Sequence, residues 1–248
     1  GFVGMNITDY ESDYIKNDFE CYMVKIRQSN VLDCINKYKH DNILEVGCGT
    51  DLLFKQIVNL KKYTIVESSE YFCNIAKKEC SPNIKVINSS FEDYADSFEQ
   101  FNDSFDVVIL SSILHLIEDL DTFLKALKKV ISKKTLIYIN VPNINSLHRL
   151  IAIEIGLISN ISEKAIGKTG EYKKHFFSES SLTTLLIRNN FKIINSGSYF
   201  IKPFSHRQML GLLDKNIIEE SVVDGLYKIS KYFPNNGAEL FFEIQLDD

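Results

Sequence analysis

The chain has 248 residues, 45% hydrophobic and 25% charged, the balance of a soluble globular protein long enough for one sizeable domain with a small appendage. A net charge of −5 argues against general nucleic-acid binding, and no apolar run approaches the ~20 residues of a membrane-spanning helix. Cys21, Cys34, Cys48, Cys73 and Cys80 are odd in number and lack metal-ligand spacing, so they are expected to be reduced thiols of a cytoplasmic protein, with no metal site. Nothing reads as a secretory signal, and Gly1-Phe2-Val3-Gly4 reads as an addition ahead of a native start at Met5.

Over residues 12–40 apolar side chains recur at helical spacing: Ile15, Phe19, Tyr22, Met23 and Ile26, then Val31, Ile35 and Tyr38. They predict two lead-in helices, an N-terminal helical cap over 5–40. From Asn42 short apolar runs alternate with amphipathic segments, the rhythm of βαβ units. Strands are predicted at 43–46, 63–67, 84–88, 105–111 and 135–141. Helical periodicity runs from Leu52 to Leu60, Tyr71 to Cys80 and Leu120 to Ile131, the last with an apolar stripe of Leu120, Phe123, Leu124, Leu127 and Val130. This order implies an α/β doubly wound parallel sheet.

After Val141-Pro142 the pattern changes. Residues 143–176 hold two weak helical stretches and no strand, and Ser178 offers a cap for a helix through Arg188. Strand-like runs return at 191–195, 198–201 and 239–246, with helical character over 205–232 between them. There is no internal repeat or low-complexity linker. One domain is therefore expected, with its core at 41–141 and lid insertions plus the rest of the sheet at 142–248.

The stretch Ile43-Leu-Glu-Val-Gly-Cys-Gly-Thr-Asp51 carries the most information. An apolar strand runs into a turn whose Gly47 and Gly49 let the backbone bend tightly and approach a ligand closely. A dinucleotide-phosphate site wants a third glycine, where this chain has Leu52, and amides open to a pyrophosphate. Glu45 would repel phosphate but can accept hydrogen bonds from a cationic amine. That favours S-adenosylmethionine, which carries an ammonium, a sulfonium and no phosphate.

Here the chain resembles the class I S-adenosylmethionine-dependent methyltransferases, over roughly residues 10 to 141. The family usually reads Glu/Asp-x-Gly-x-Gly-x-Gly; this chain matches at Glu45, Gly47 and Gly49 and departs at Asp51, which is expected to cap a following helix. The resemblance implies a Rossmann-like seven-stranded, mostly parallel sheet with an antiparallel edge. It also implies cofactor contacts. Glu67, twenty-two positions after Glu45, ends the second predicted strand where a carboxylate can take both ribose hydroxyls, with Ser68 beside it. Phe91 and either Glu92 or Asp93 would serve the adenine. Cys48 fills the glycine turn as a small residue, and Leu110 and Ser111 would flank the methionine arm. Tyr14 and Arg27 are candidates to cover the cofactor and pair its carboxylate. His115 either faces the reacting methyl or caps the next helix.

Val141-Pro-Asn-Ile-Asn-Ser-Leu-His-Arg149 resembles a subset of methyltransferases from surface-polysaccharide and sugar-nucleotide pathways, including capsule pathways that install O-methyl groups. Tyr172-Lys-Lys-His175 resembles their second histidine-bearing element. Around these lie Arg149, Lys164, Lys168, Lys173 and Lys174, with Lys202 and Arg207 later, in an otherwise acidic chain. A basic lid predicts a small anionic acceptor such as a phosphate, nucleotide or uronate, held by Arg149, Lys173 and Lys174. An alcohol acceptor needs a base, for which His148, His175 and His115 are candidates; a phosphate or carboxylate oxygen needs none. The expected function is transfer of a methyl group to oxygen, leaving S-adenosylhomocysteine. A catalytically silent binding protein of this fold is an alternative, and a nicotinamide-dependent oxidoreductase is disfavoured by Glu45. The chain does not disclose its oligomeric state.

Overall fold

The computed structural model describes residues 19–99, 104–159 and 174–248. Seven strands form one sheet: β1 (Asn42–Val46), β2 (Lys62–Glu67), β3 (Ile84–Asn88), β4 (Val107–Ser111), β5 (Leu136–Pro142), β6 (Phe191–Tyr199) and β7 (Glu239–Leu246). Their order is β3-β2-β1-β4-β5-β7-β6. The first five are parallel, and β7 runs against both β5 and β6, so the antiparallel pair closes one edge. The order reverses between β1 and β4, and the ends of these strands meet in a crevice there.

Alternation along the strands divides the core between two faces. Leu44, Val46, Val66, Val108, Leu110 and Ile139 point to the side covered by α3 (Phe91–Asp96), α4 (Leu120–Lys129) and α6 (Glu179–Arg188). Ile43, Ile65, Val107, Ile109 and Tyr138 point to the other, with α1 (Glu20–Ile35) and α2 (Glu70–Lys78). Because helices cover both faces, these strands are near-continuous apolar runs, which made them readable in sequence. α5 (Leu147–Glu154), α7 (His206–Asp214) and α8 (Glu220–Lys228) complete the described helices.

Three local expectations are revised. The periodicity from Leu52 to Leu60 yields only a 3₁₀ turn, Leu53–Gln56. Leu52, Leu53, Phe54 and Ile57 are all buried. Three adjacent residues cannot share one face of an α-helix, whose side chains step by 100°. A tight turn between extended Leu52 and Ile57 buries them all. Asp51 therefore caps no α-helix; its carbonyl accepts from Gln28 Nε2. The lead-in segment is one uninterrupted helix where described, α1, lying over β4 and β5; Ile15 falls outside the described residues. The runs at 191–195 and 198–201 belong largely to one strand, β6, bulged between Ile193 and Asn195. Gly197 is needed in it, because a Cβ there would stand 2.8 Å from the Phe241 ring.

Candidate active site

The turn after β1 is built as its glycines require. Gly47 and Gly49 have φ of +78° and +60°, which side chains rarely adopt. A Cβ on Gly47 would also meet Ile113 Cγ2 at 3.2 Å. The Cys48 amide donates to Glu67 Oε1 (3.1 Å) and the Ser69 amide to Glu67 Oε2 (2.9 Å). Glu67 thus ties the ends of β1 and β2 together, each oxygen keeping capacity for another donor. Burial raises its pKa, and the amides of Ser69, Cys48, Gly49 and Ser68 oppose that rise. Burial also keeps the Cys48 thiol protonated.

Glu45 is 5% exposed, and its Oε1 accepts no hydrogen bond among the described residues. Its pKa is pushed up to about 8, chiefly by burial and further by Glu67, with Tyr63 on β2 pulling the other way. A buried carboxylate without a donor is costly, so this oxygen is suited to a ligand that brings one.

Beside Gly47, on the opposite face from Glu45, lies a small cleft open to solvent. Val46, Val66, Ser68, Ser89, Phe91, Ile113 and Ile117 line it. It is apolar enough for a flat heterocycle. Phe91 is held by the Phe123 ring at 5.0 Å. Ser90 caps α3 by accepting from the Asp93 amide, leaving Asp93 exposed and Glu92 half-buried. Ile113 and Ile117 were not singled out from sequence, although they flank His115 in an apolar run after β4.

The sequence of this domain matches the profile of the methyltransferase-domain family over residues 23–196. The chain belongs to that family. It is a class I methyltransferase, and S-adenosylmethionine is its cofactor. Among solved structures it is similar to an S-adenosylmethionine-dependent methyltransferase from Archaeoglobus fulgidus, with 17% identity, 88% of this chain and 92% of that one covered, and a TM-score of 0.56. It is also similar to the plantazolicin methyltransferase BamL in complex with a triazolic desmethylPZN analog and SAH, with 16% identity, 100% and 93% covered, and a TM-score of 0.59. The N-methyltransferase NodS from Bradyrhizobium japonicum gives 12% identity, 95% and 91% covered, and a TM-score of 0.53. At these identities the likeness is one of fold. No curated protein matches the chain.

The residues present suit the cofactor: an apolar cleft, a glycine turn, a carboxylate at each of two strand ends, and one buried oxygen awaiting a donor. When bound, S-adenosylmethionine supplies an electrophilic methyl group on sulfur. Two sequence expectations do not fit so simply. Arg27 closes its fork on Glu239 (Nε to Oε1 2.8 Å, Nη2 to Oε2 2.9 Å) and donates from Nη1 to Glu20 at 3.1 Å. It is thereby an internal strut and not an open clamp for a carboxylate. Leu110 is fully buried in the core and does not line the cleft. Ser111 is half-exposed at the end of β4.

Residues 174–177 lie against the segments that follow β4 and β5. The amides of Lys174 and His175 donate to the His115 carbonyl at 2.8 and 3.2 Å, and the Ile144 amide donates to the Phe177 carbonyl at 3.0 Å. His175 Nε2 sits 2.7 Å from the Ile117 carbonyl. Arg149 lies over the Phe176 ring at 5.9 Å, and burial lowers its pKa. His148 Nδ1 is 3.1 Å from Ser146 Oγ. The fold thus brings the backbone of Lys174 and His175 onto that of His115, sixty residues earlier, and sets Arg149 against the ring next to His175. The ring of His115 is buried, and the cap of α4 is supplied by Asp119, which accepts from Thr122. Lys202 is only 4% exposed, so it does not extend a basic surface as expected. Tyr14, Lys164, Lys168 and Lys173 lie outside the described residues. Among the described residues no His, Cys, Asp and Glu group could hold a metal, and no helix is long and apolar enough to cross a membrane.

Proposed function

We propose that this methyltransferase transfers its methyl group to an oxygen of a small anionic acceptor. The observation that carries the reading is Arg149, half-buried against the Phe176 ring, next in the chain to His175, whose Nε2 is bonded to Ile117 in the wall of the cleft. Half-buried guanidinium beside an aromatic ring favours an anion, because a desolvated cation gains most from a negative partner. In-line displacement at a sulfonium depends on positioning, and Arg149 supplies donors for that. If the acceptor is a hydroxyl, His175 is the base; a phosphate or carboxylate oxygen needs only the cations.

In the cofactor half, Glu45 holds the ammonium, Glu67 the ribose, and the cleft lined by Ser68 and Phe91 the adenine, with Glu92 at its edge. The setting in surface-polysaccharide synthesis rests on residues 141–149 and 172–175 alone.

A screen of sugar phosphates, nucleotides, phosphoramidates and neutral sugars for release of S-adenosylhomocysteine tests the reading. Turnover confined to anionic acceptors is expected, with Arg149→Ala raising the acceptor KM. Methylation of neutral acceptors or of amines, undiminished in Arg149→Ala, would overturn it. Cofactor binding with no turnover on any acceptor would instead favour a silent binding protein.

A further inference from the structure

Ser112, the first residue after β4, has φ of +58°, a left-handed conformation costly for a side chain other than glycine or asparagine. Asn140 on β5 holds it there. The Ser112 amide is 2.7 Å from Asn140 Oδ1 and 3.1 Å from the Asn140 carbonyl. Asn140 is fully buried, and its Nδ2 donates to Ser111 Oγ (3.0 Å) and to the Tyr138 hydroxyl (3.3 Å). The Ser112 N–H can meet only an acceptor, which fixes the amide's orientation. The Tyr138 hydroxyl in turn donates to Asn30 on α1. The residue after Ser112 is Ile113, which presses on Gly47 and lines the cleft.

We propose that Asn140 is a positioning residue: it holds Ser112 left-handed, and so sets Ile113 as the wall of the cofactor cleft. No side-chain contact between Asn140 and the cofactor is required. The inference rests on the assignment of that cleft to the cofactor.

The test titrates S-adenosylhomocysteine by calorimetry into the wild type, Asn140→Ala, Ser112→Gly and the double variant. Asn140→Ala should raise Kd about tenfold, the scale set by left-handed strain in a non-glycine residue. Ser112→Gly alone should bind as the wild type does. The double variant should recover to within about threefold, because glycine takes this conformation without a clamp. An unchanged Kd in Asn140→Ala, or a double variant no better than the single one, overturns the proposal. Should Asn140→Ala not fold, Tyr138→Phe removes one acceptor of the same amide; a smaller rise in Kd, again reversed by Ser112→Gly, is expected, and no reversal overturns the clamp. Amide exchange at Ser112 without cofactor separates the two readings. Wild type that does not bind refutes the cleft assignment, whereas unchanged exchange in Asn140→Ala refutes the clamp.

Discussion

His175 Nε2 lies 2.7 Å from the carbonyl oxygen of Ile117, a residue that itself lines the cleft beside Gly47. A carbonyl only accepts, so Nε2 carries the proton and the lone pair of the neutral ring is at Nδ1. The hydrogen bond therefore orients the proposed base and ties it to the wall of the cleft in one contact.

His175→Ala should lower kcat about 10²–10⁴-fold on a hydroxyl acceptor, with cofactor affinity nearly unchanged. On a phosphate acceptor the loss should be smaller and shared with KM. Single-turnover rates measure this directly, and a wild-type kcat on a hydroxyl acceptor would remove His175 as base.

As the proposed partner of the cofactor's ammonium, Glu45 should make cofactor affinity depend on pH. Its pKa is pushed up to about 8, so the carboxyl is largely neutral at pH 7 and must lose its proton to hold an ammonium. Affinity should therefore rise as pH approaches about 8, by at most tenfold per unit. Stability of the cofactor-free chain should move the other way. Between the ordinary glutamate range and about 8 the folded state holds a proton that the unfolded state has lost, so stability falls as pH rises, then levels off. Glu45→Gln should remove both dependences and weaken binding. Calorimetry and urea denaturation of the two proteins across this range would expose an equal pH slope, the outcome that contradicts the prediction.

Glu67→Ala deletes the acceptor of the Cys48 and Ser69 amides as well as the proposed ribose partner. Hydrogen bonds to a charged group are worth roughly 1.5–3 kcal/mol, so cofactor affinity should fall about tenfold or more. Thermal stability should fall too, because two amides of the turn lose their partner. A folded variant with unchanged affinity takes Glu67 out of the site.

Arg27→Ala leaves Glu239 buried without its cation, since Glu239 is 3% exposed and its remaining side-chain donor is Tyr199. Breaking such a pair typically costs about 3–5 kcal/mol, which urea denaturation should register. Cofactor affinity of the folded fraction should change little. The reverse result, intact stability with lost affinity, would return Arg27 to the cofactor.

What the sequence by itself determined is the frame of the site. Strands covered on both faces must be apolar nearly throughout, so β1, β2, β4 and β5 stand out in the chain, and the turn at Gly47 and Gly49 is written in residues that nothing else replaces cheaply. Glu45 at the turn followed from the same local reasoning. Only the tertiary structure decided where polar side chains spend their hydrogen bonds. Arg27 on an amphipathic helix looks open until Glu239, 212 residues later, is folded against it. Asn140 interrupts an apolar strand, a visible signal, yet its partner Ser112 is known only once β4 and β5 lie side by side in register. Leu52 to Leu60 failed for a related reason: periodicity reports which residues want burial, while neighbouring elements decide whether a helix or a tight turn buries them. Burial preference is a property of single residues and survives in the sequence; a hydrogen-bond partner is a property of pairs, and exists only when the fold brings the pair together.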